Sequence, residues 1–423
     1  MKHRLQDAPP RSRWRRAAAC TPWAMLLALF AVPPTVVGSH DWMLAYLAQT
    51  AVMIVLALSY NLLLGETGLL SFGHAAYAGL AAFVAAHAFN RYAIALPLLP
   101  LVGGAAAAAL ALPFGFVATR RAGTAFAMIT LGIGELAAAA VWALPDGFGG
   151  AAGVSIDRMA GPAWGRWTFG PAREAYWVVA VWCLFASAAL WALTCTPLAR
   201  VANAVRDNAA RVAALGTDPR RVRHAMVVLS AFFAGVAGTL GLIDIELASA
   251  EGVGMARSAS VLIATVIGGS QSFFGPVLGA IVLTGFGVAL APATRAWPFY
   301  LGLLFIAVVM RAPDGLVGAA ARHRRALAHH GSRAMLVGCS LRAAAVLAWI
   351  AALVLIVETL YARQFAFDET GAPWRIGGLR FEAASPVTWG VAAGLLCIGA
   401  AAARAAQHVS ATRTRAVARG RQT

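Results

Sequence analysis

Apolar residues fall in long unbroken runs, and polar residues collect in the gaps between them. The runs lie near 20–38, 42–64, 69–89, 93–118, 122–144, 175–195, 225–247, 259–270, 275–291, 297–310, 340–360 and 386–403. A helix that is apolar all round belongs in a core or a bilayer, and about 20 residues cross a bilayer. The pattern predicts an all-α polytopic membrane protein of about ten transmembrane helices, with broken or short helices among them. The runs at 340–360 and 386–403 add a C-terminal transmembrane hairpin. The two runs between 259 and 291 are short and separated by Gly268-Gly269-Ser270-Gln271-Ser272. They read as half-spans that fold back at membrane depth.

The stretch Gly65-Glu66-Thr67-Gly68-Leu69-Leu70-Ser71-Phe72-Gly73-His74 interrupts two apolar runs with polar residues and glycines. Lipid offers no hydrogen bonds to freed backbone groups, so such a break survives only inside protein or beside a water-filled cavity. Broken helices also present N–H groups and carbonyls to a zwitterion. The breaks at 65–74 and 268–276 are therefore the candidate translocation pathway, with Gly68, Ser71, Gly73, His74, Thr130, Glu135, Gly268, Gly269 and Gly275 as its residues. Ionisable groups inside a membrane are functional suspects because burying charge is costly. His74 either lines the pathway or bonds an exposed carbonyl in the break. Glu135 either gates, pairs with an arginine, or sits in helix packing. Asp244 and Glu246 read as interfacial, and Glu66 as lying at the inner mouth.

Composition agrees with a bilayer. Hydrophobic residues make up 60% of the 423 and charged residues 12%, about half the charged share of a soluble domain. The net charge of +17 suits arginine held in cytoplasmic loops better than nucleic acid. With the N-terminus inside, 25 of the 34 basic residues fall on the inner side, so both termini are expected in the cytoplasm. The run at 20–38 follows a basic segment and reads as a retained helix rather than a cleaved signal, because Pro33-Pro34 is no cleavage pattern. Cys20, Cys183, Cys195, Cys339 and Cys397 lack metal or CxxC spacing and read as packing residues, with no metal site expected. The outer loop 145–174, rich in glycine and carrying Trp164 and Trp167, reads as a lid or docking surface, or as a connector anchored at the headgroups.

On the inner side, Thr196-Pro197 starts a helix with a capping hydroxyl and an N1 proline. Leu198, Val201, Val205, Val212 and Leu215 recur near helical spacing, and Arg200, Asn203, Arg206, Asp207 and Arg211 form the other face. Gly216 is a stop, and Asp218-Pro219 opens the next element. Such a helix pair suits a partner that pushes on it, or a basic helix resting on lipid.

Leu62-Leu63-Leu64-Gly65 leading into Gly68 to His74 resembles the signature of the membrane-spanning subunits of branched-chain amino acid importers of the ABC type. Arg121 to Leu131, with Glu135 following, is similar to that family's segment after its fourth span. Val266-Ile267-Gly268-Gly269 with Phe274 to Ala280 resembles its later glycine segment, and Arg311-Ala312-Pro313-Asp314-Gly315-Leu316 its usual ending. The order agrees from about residue 45 to residue 318. The resemblance implies that Arg206, Asp207, Asn208, Ala214, Leu215 and Gly216 form a coupling motif that docks into a cytoplasmic ATPase. It also implies a bacterial inner-membrane permease working with a second permease subunit, two ATPases and a periplasmic binding protein. Two departures leave the solute open: Ala151 and Ala152 replace the usual serine and acid, and Ser260 stands where an acid is frequent. Urea, amides or short acids are alternative solutes. A proton-coupled transporter using His74 and Glu135, or a membrane assembly protein, are alternatives of other classes.

The domain reading is a basic tail at 1–19, a permease domain at 20–318 carrying the coupling loop 196–224, a basic linker at 319–339, and a two-helix extension at 340–423. A phosphate-binding loop needs a lysine after its glycines, and Lys2 is the only lysine in the chain. The chain is therefore expected to be non-catalytic and to bind no cofactor, with ATP used by its partners.

Overall fold

The computed structural model describes residues 13–36, 41–165, 167–291, 294–329, 333–365, 374–376, 379–381 and 386–419. The side chains of Cys20 and Cys339, read above as packing residues, lie outside the described residues. The helices are α1 (Arg13–Val36), α2 (Asp41–Thr67), α3 (His74–Tyr92), α4 (Leu99–Ala118), α5 (Thr124–Ala143), the short α6 (Pro145–Phe148), α7 (Ala172–Thr194) and α8 (Pro197–Ala214). They continue with α9 (Pro219–Ile245), α10 (Met255–Gly268), α11 (Gly275–Gly285), α12 (Trp297–Arg311), α13 (Gly315–His329), α14 (Arg333–Phe365) and α15 (Pro386–Arg419). Two small ribbons accompany them. Strand β1 (Val154–Ser155) pairs antiparallel with β2 (Leu247–Ala248), and β3 (Trp374–Ile376) with β4 (Leu379–Phe381).

Among the described residues seven helices are long and apolar enough to cross a membrane, or eight if the bent pair α12–α13 is one span. Shorter apolar helices lie at 21–35, 255–268 and 275–288. The protein is a polytopic all-α membrane protein. The chain divides into two units, Met1–Ala289 with Leu304–Gly318, and Leu290–Leu303 with Ala319–Thr423.

In the first unit α2 is the most enclosed candidate span, and α9 packs on α4 and α3 through small residues. A Cβ on Gly238 would lie 2.0 Å from the Ala78 carbonyl, and one on Gly235 would lie 2.4 Å from that of Gly103. Bilayer lipid is as apolar as a side chain, so close backbone approach replaces the hydrophobic drive between helices. Helix α1 lies against α7, where Tyr176 donates to the Phe30 carbonyl at 2.7 Å. Its Trp23 ring meets Trp191 and Phe274 edge-on at 6.0 and 5.3 Å. The second unit holds the hairpin of α14 and α15, where a Cβ on Gly399 would meet the Trp349 ring at 2.4 Å. Glu358 reads from sequence as interfacial. Here it accepts hydrogen bonds from the Thr294 and Tyr300 hydroxyls of the same unit, the latter at 2.8 Å.

Several element boundaries differ from the sequence reading. The run 69–89 begins as helix only at His74, because Gly68 turns the chain at φ +69° and residues 68–73 remain non-helical. The helix at 197–214 is broken at Asn208, whose backbone is extended at φ −158°. Leu215 belongs by spacing to the apolar face, yet it is 80% exposed while Ala199, Ala202, Val205 and Val212 are buried. Val212, beyond the break at Asn208, is still packed, whereas Leu215 caps the end of the helix next to Gly216, which turns the chain at φ +88°. Of the cysteines, Cys183 is buried, whereas Cys195 and Cys397 are exposed.

Candidate coupling and translocation site

The first break is a re-entrant stretch. Helix α2 runs 27 residues to Thr67, the chain turns at Gly68, and the next residues climb back beside the last turns of α2. The Leu69 N–H donates to the Leu63 carbonyl at 3.0 Å, the Ser71 N–H to the Tyr60 hydroxyl at 3.3 Å, and His74 Nε2 pairs with Ser59 Oγ at 2.9 Å. Helix α3 therefore starts well inside the bundle, not at its end.

Freed backbone donors in such a place must find partners within the protein. Hydroxyls from three helices supply them. Phe72 N–H donates to Thr130 Oγ1 of α5 at 3.2 Å, Ala75 N–H to Ser258 Oγ of α10 at 3.0 Å, and Ser71 N–H to Tyr60 of α2. Ser230 of α9 donates to the Ser59 carbonyl at 2.6 Å. His74 is fully buried, its ring edge-on to Tyr60 with centroids 5.2 Å apart. It bonds a hydroxyl, not a carbonyl of the break, and its Nδ1 has no partner. Gly73 has no room for a side chain, since a Cβ would lie 2.1 Å from the Thr130 carbonyl. Gly134 faces Gly73 across this contact, while its neighbour Glu135 is exposed on the far side of α5.

The second break meets the first. A Cβ on Gly65 would lie 2.7 Å from both the Ser270 carbonyl and Asn61 Oδ1. Helices α10 and α11 cross with backbones touching, as a Cβ on Gly268 would lie 1.8 Å from the Gly275 carbonyl. Gly269, at φ +108°, abuts the Asp314–Gly315 turn, and Gly315 at φ +72° lies against Gly269 in return. Both positions are left-handed and crowded, so glycine alone fits.

Helix α8 is anchored on this assembly. Thr196 caps its start by accepting from the Ala199 N–H, and Asn208 Oδ1 caps the second half by accepting from the Arg211 N–H at 2.9 Å. Asn203 donates to the Glu66 carboxylate, and Arg206 donates to the Gly65 carbonyl. The Arg206 stem also covers Gly68. Asp207, paired with Arg206 Nε at 3.4 Å, is 73% exposed, and Ala214, Leu215 and Gly216 stand free of the body. The helix thus grips the break with one face and presents another outward.

At the far end of the first unit the 145–174 segment is tied down. Arg158 forms an ion pair with Glu246 at 2.5 Å, β1 pairs with β2, and Asn90 donates to the Ser155 carbonyl at 2.9 Å. Trp164 and Trp167 pair through their backbones at 3.0 and 3.2 Å and remain exposed. Among the described residues no three His, Cys, Asp or Glu side chains gather as metal ligands.

The sequence singles out the two breaks and α8 as separate features, and the fold brings them together. Ser59, Tyr60, Ser230 and Ser258 escape a reading by motif, although the first three are hydroxyls inside apolar runs and Ser258 stands at the edge of one, which is the available signal. The family model described as the permease component of branched-chain amino acid transport systems matches residues 42–312. The high-affinity branched-chain amino acid transport system permease protein LivM of Escherichia coli (strain K12) is 28% identical over 289 residues, covering 63% of this chain and 68% of that protein. Its counterpart from Salmonella typhimurium is 28% identical over 291 residues, covering 64% of this chain and 68% of its own length. No solved structure matches the chain. With 42–312 spanning both breaks and α8, the chain belongs to the permease family of branched-chain amino acid transport systems.

Proposed function

We propose that the chain is the translocation subunit of an ATP-driven importer for branched-chain or related amino acids in a bacterial inner membrane, with both termini cytoplasmic. It pairs with a second permease subunit, receives solute from a periplasmic binding protein, and takes its energy from two cytoplasmic ATPases. The observation that carries this reading is the double anchoring of α8. Asn203 on Glu66 and Arg206 on the Gly65 carbonyl fix the helix to the re-entrant break, so force on its exposed face reaches the bundle core. Arg206, Asp207, Asn208, Ala214, Leu215 and Gly216 form the coupling segment. The breaks with Gly68, Ser71, Gly73, His74, Thr130, Gly268, Gly269 and Gly275 form the moving joint of the pathway, and exposed Glu135 faces the second subunit. The permease proper is 20–318, followed by the linker 319–339 and the extension 340–423.

The break's buried N–H groups at 71, 72 and 75 are already held by hydroxyls. A solute carboxylate gains those donors only when the hydroxyls release them, which suits a transient pathway better than a tight resting site. The test is co-expression with the cognate ATPases. Replacing Asp207 and Leu215 by alanine should leave the chain in the membrane, release the ATPases on purification and abolish uptake of labelled leucine. Retained ATPases with unchanged uptake would overturn the reading.

A further inference from the structure

A hollow of about 640 Å³ opens between the α4–α5 turn and the start of α9, lined by Phe116, Thr119, Arg120, Arg121, Asp218, Arg220, Arg221 and His224. Its lining holds four arginines and a single carboxylate. That carboxylate is already engaged, since Asp218 accepts from the Arg220 N–H at 2.9 Å and lies 3.7 Å from Arg221. Arg120 stacks over the Phe116 ring at 4.9 Å, and the His224 ring meets Phe116 edge-on at 6.2 Å. The N-terminus of α9 adds its positive dipole end. Loop arginines that serve only to orient a membrane protein need no cavity; these line one.

We propose that this hollow binds the phosphate-bearing headgroup of an anionic phospholipid in the inner leaflet. The proposal rests on the inward placement of the Arg120–Arg121 turn argued above. A lipid is favoured over a free phosphate because an apolar track leads from the hollow along α4. Leu112 and Phe116 share one helix face and are 54% and 56% exposed, with Val117 at 50% beside them. A basic pocket between membrane helices on the cytoplasmic side, continuous with lipid-facing surface, has the chemistry that recognises such headgroups.

The test uses the full chain purified in mild detergent, with lipid retention read by native mass spectrometry. Phosphatidylglycerol and cardiolipin should be retained in preference to phosphatidylcholine, and added salt should weaken their binding. The double variant R120Q/R220Q should bind phosphatidylglycerol about 25-fold more weakly, roughly a factor of five for each arginine. R404Q, in the second unit, should change nothing. If the double variant cannot be purified folded, R120Q alone should show about a fivefold loss. Equal retention of phosphatidylcholine, or undiminished binding by the variants, overturns the proposal. So does complete displacement by millimolar inorganic phosphate, which would mark a site for free anions. Membrane-impermeant maleimide on R121C, in a chain whose five native cysteines are replaced by serine, separates the two readings. Labelling from outside overturns the orientation itself, whereas labelling from inside without lipid selectivity overturns the headgroup site alone.

Discussion

At the scale of single residues, the break is held by contacts with no slack. Gly73→Ala places a methyl 2.1 Å from the Thr130 carbonyl, which belongs to a helix backbone. Overpacking of this kind costs about 1–3 kcal/mol or more. Gly132 lies close by on the same helix, and a Cβ there would meet nothing within 4 Å. Thermal unfolding in detergent should therefore show a marked drop for Gly73→Ala and little change for Gly132→Ala. Ser258→Ala tests the hydroxyl network differently. It leaves the Ala75 N–H buried without its partner, a loss of about 1–3 kcal/mol, and the same unfolding measurement should register it. Ser258→Thr, which keeps the hydroxyl, should recover most of the stability.

At the scale of elements, α8 has two faces whose variants should behave oppositely. Arg206→Ala removes a charged hydrogen bond to the Gly65 carbonyl, worth about 1.5–3 kcal/mol, and frees the helix from the break. The expected result is an ATPase complex that still assembles but couples poorly, read as ATP turnover without matching uptake. Leu215→Ala alters an 80% exposed side chain, so the chain should keep its stability and lose affinity for the ATPases. Asn208→Ala removes the cap of the second half, about 1 kcal/mol, and should weaken ATPase association by loosening that last turn. Limited proteolysis near 208–216 checks the loosening independently of transport.

At the scale of the whole molecule, the hairpin of α14 and α15 shares its unit with residues 290–303 through Glu358, Thr294 and Tyr300. Truncation after residue 325 removes the acceptor for both hydroxyls. A stably inserted truncation should keep ATP-driven uptake while residues 290–303 become more sensitive to protease, and Glu358→Ala should reproduce the sensitivity in the full chain. Loss of uptake with ATPases still bound would make the hairpin part of the mechanism. The arginine distribution belongs to this scale too. Reporter fusions at residues 330 and 420 should both read as cytoplasmic, and an external signal from either would break the proposed topology.

Much of this protein is legible in the order of its residues. Apolar runs mark helices because burying a backbone in lipid demands that its hydrogen bonds close locally, and Thr196-Pro197, Gly216 and Asp218-Pro219 mark the ends of α8 and the start of α9 because caps are short-range chemistry. The family motifs likewise stand in the sequence as linear strings. What the sequence does not carry is which strings meet. Gly65 touches Ser270 across some two hundred residues, and Gly269 touches Gly315, because close packing of separate helices selects glycine without naming its neighbour. By sequence His74 suits a pathway and a carbonyl contact equally, and only the fold sets it against Ser59 and Tyr60. The periodicity that puts Leu215 on the packed face assumes that the helix runs on, whereas it ends at Ala214 and leaves Leu215 outside as the cap. Local hydrogen bonding is written in neighbouring residues, whereas the partners of a buried hydroxyl or a missing side chain are decided by tertiary packing.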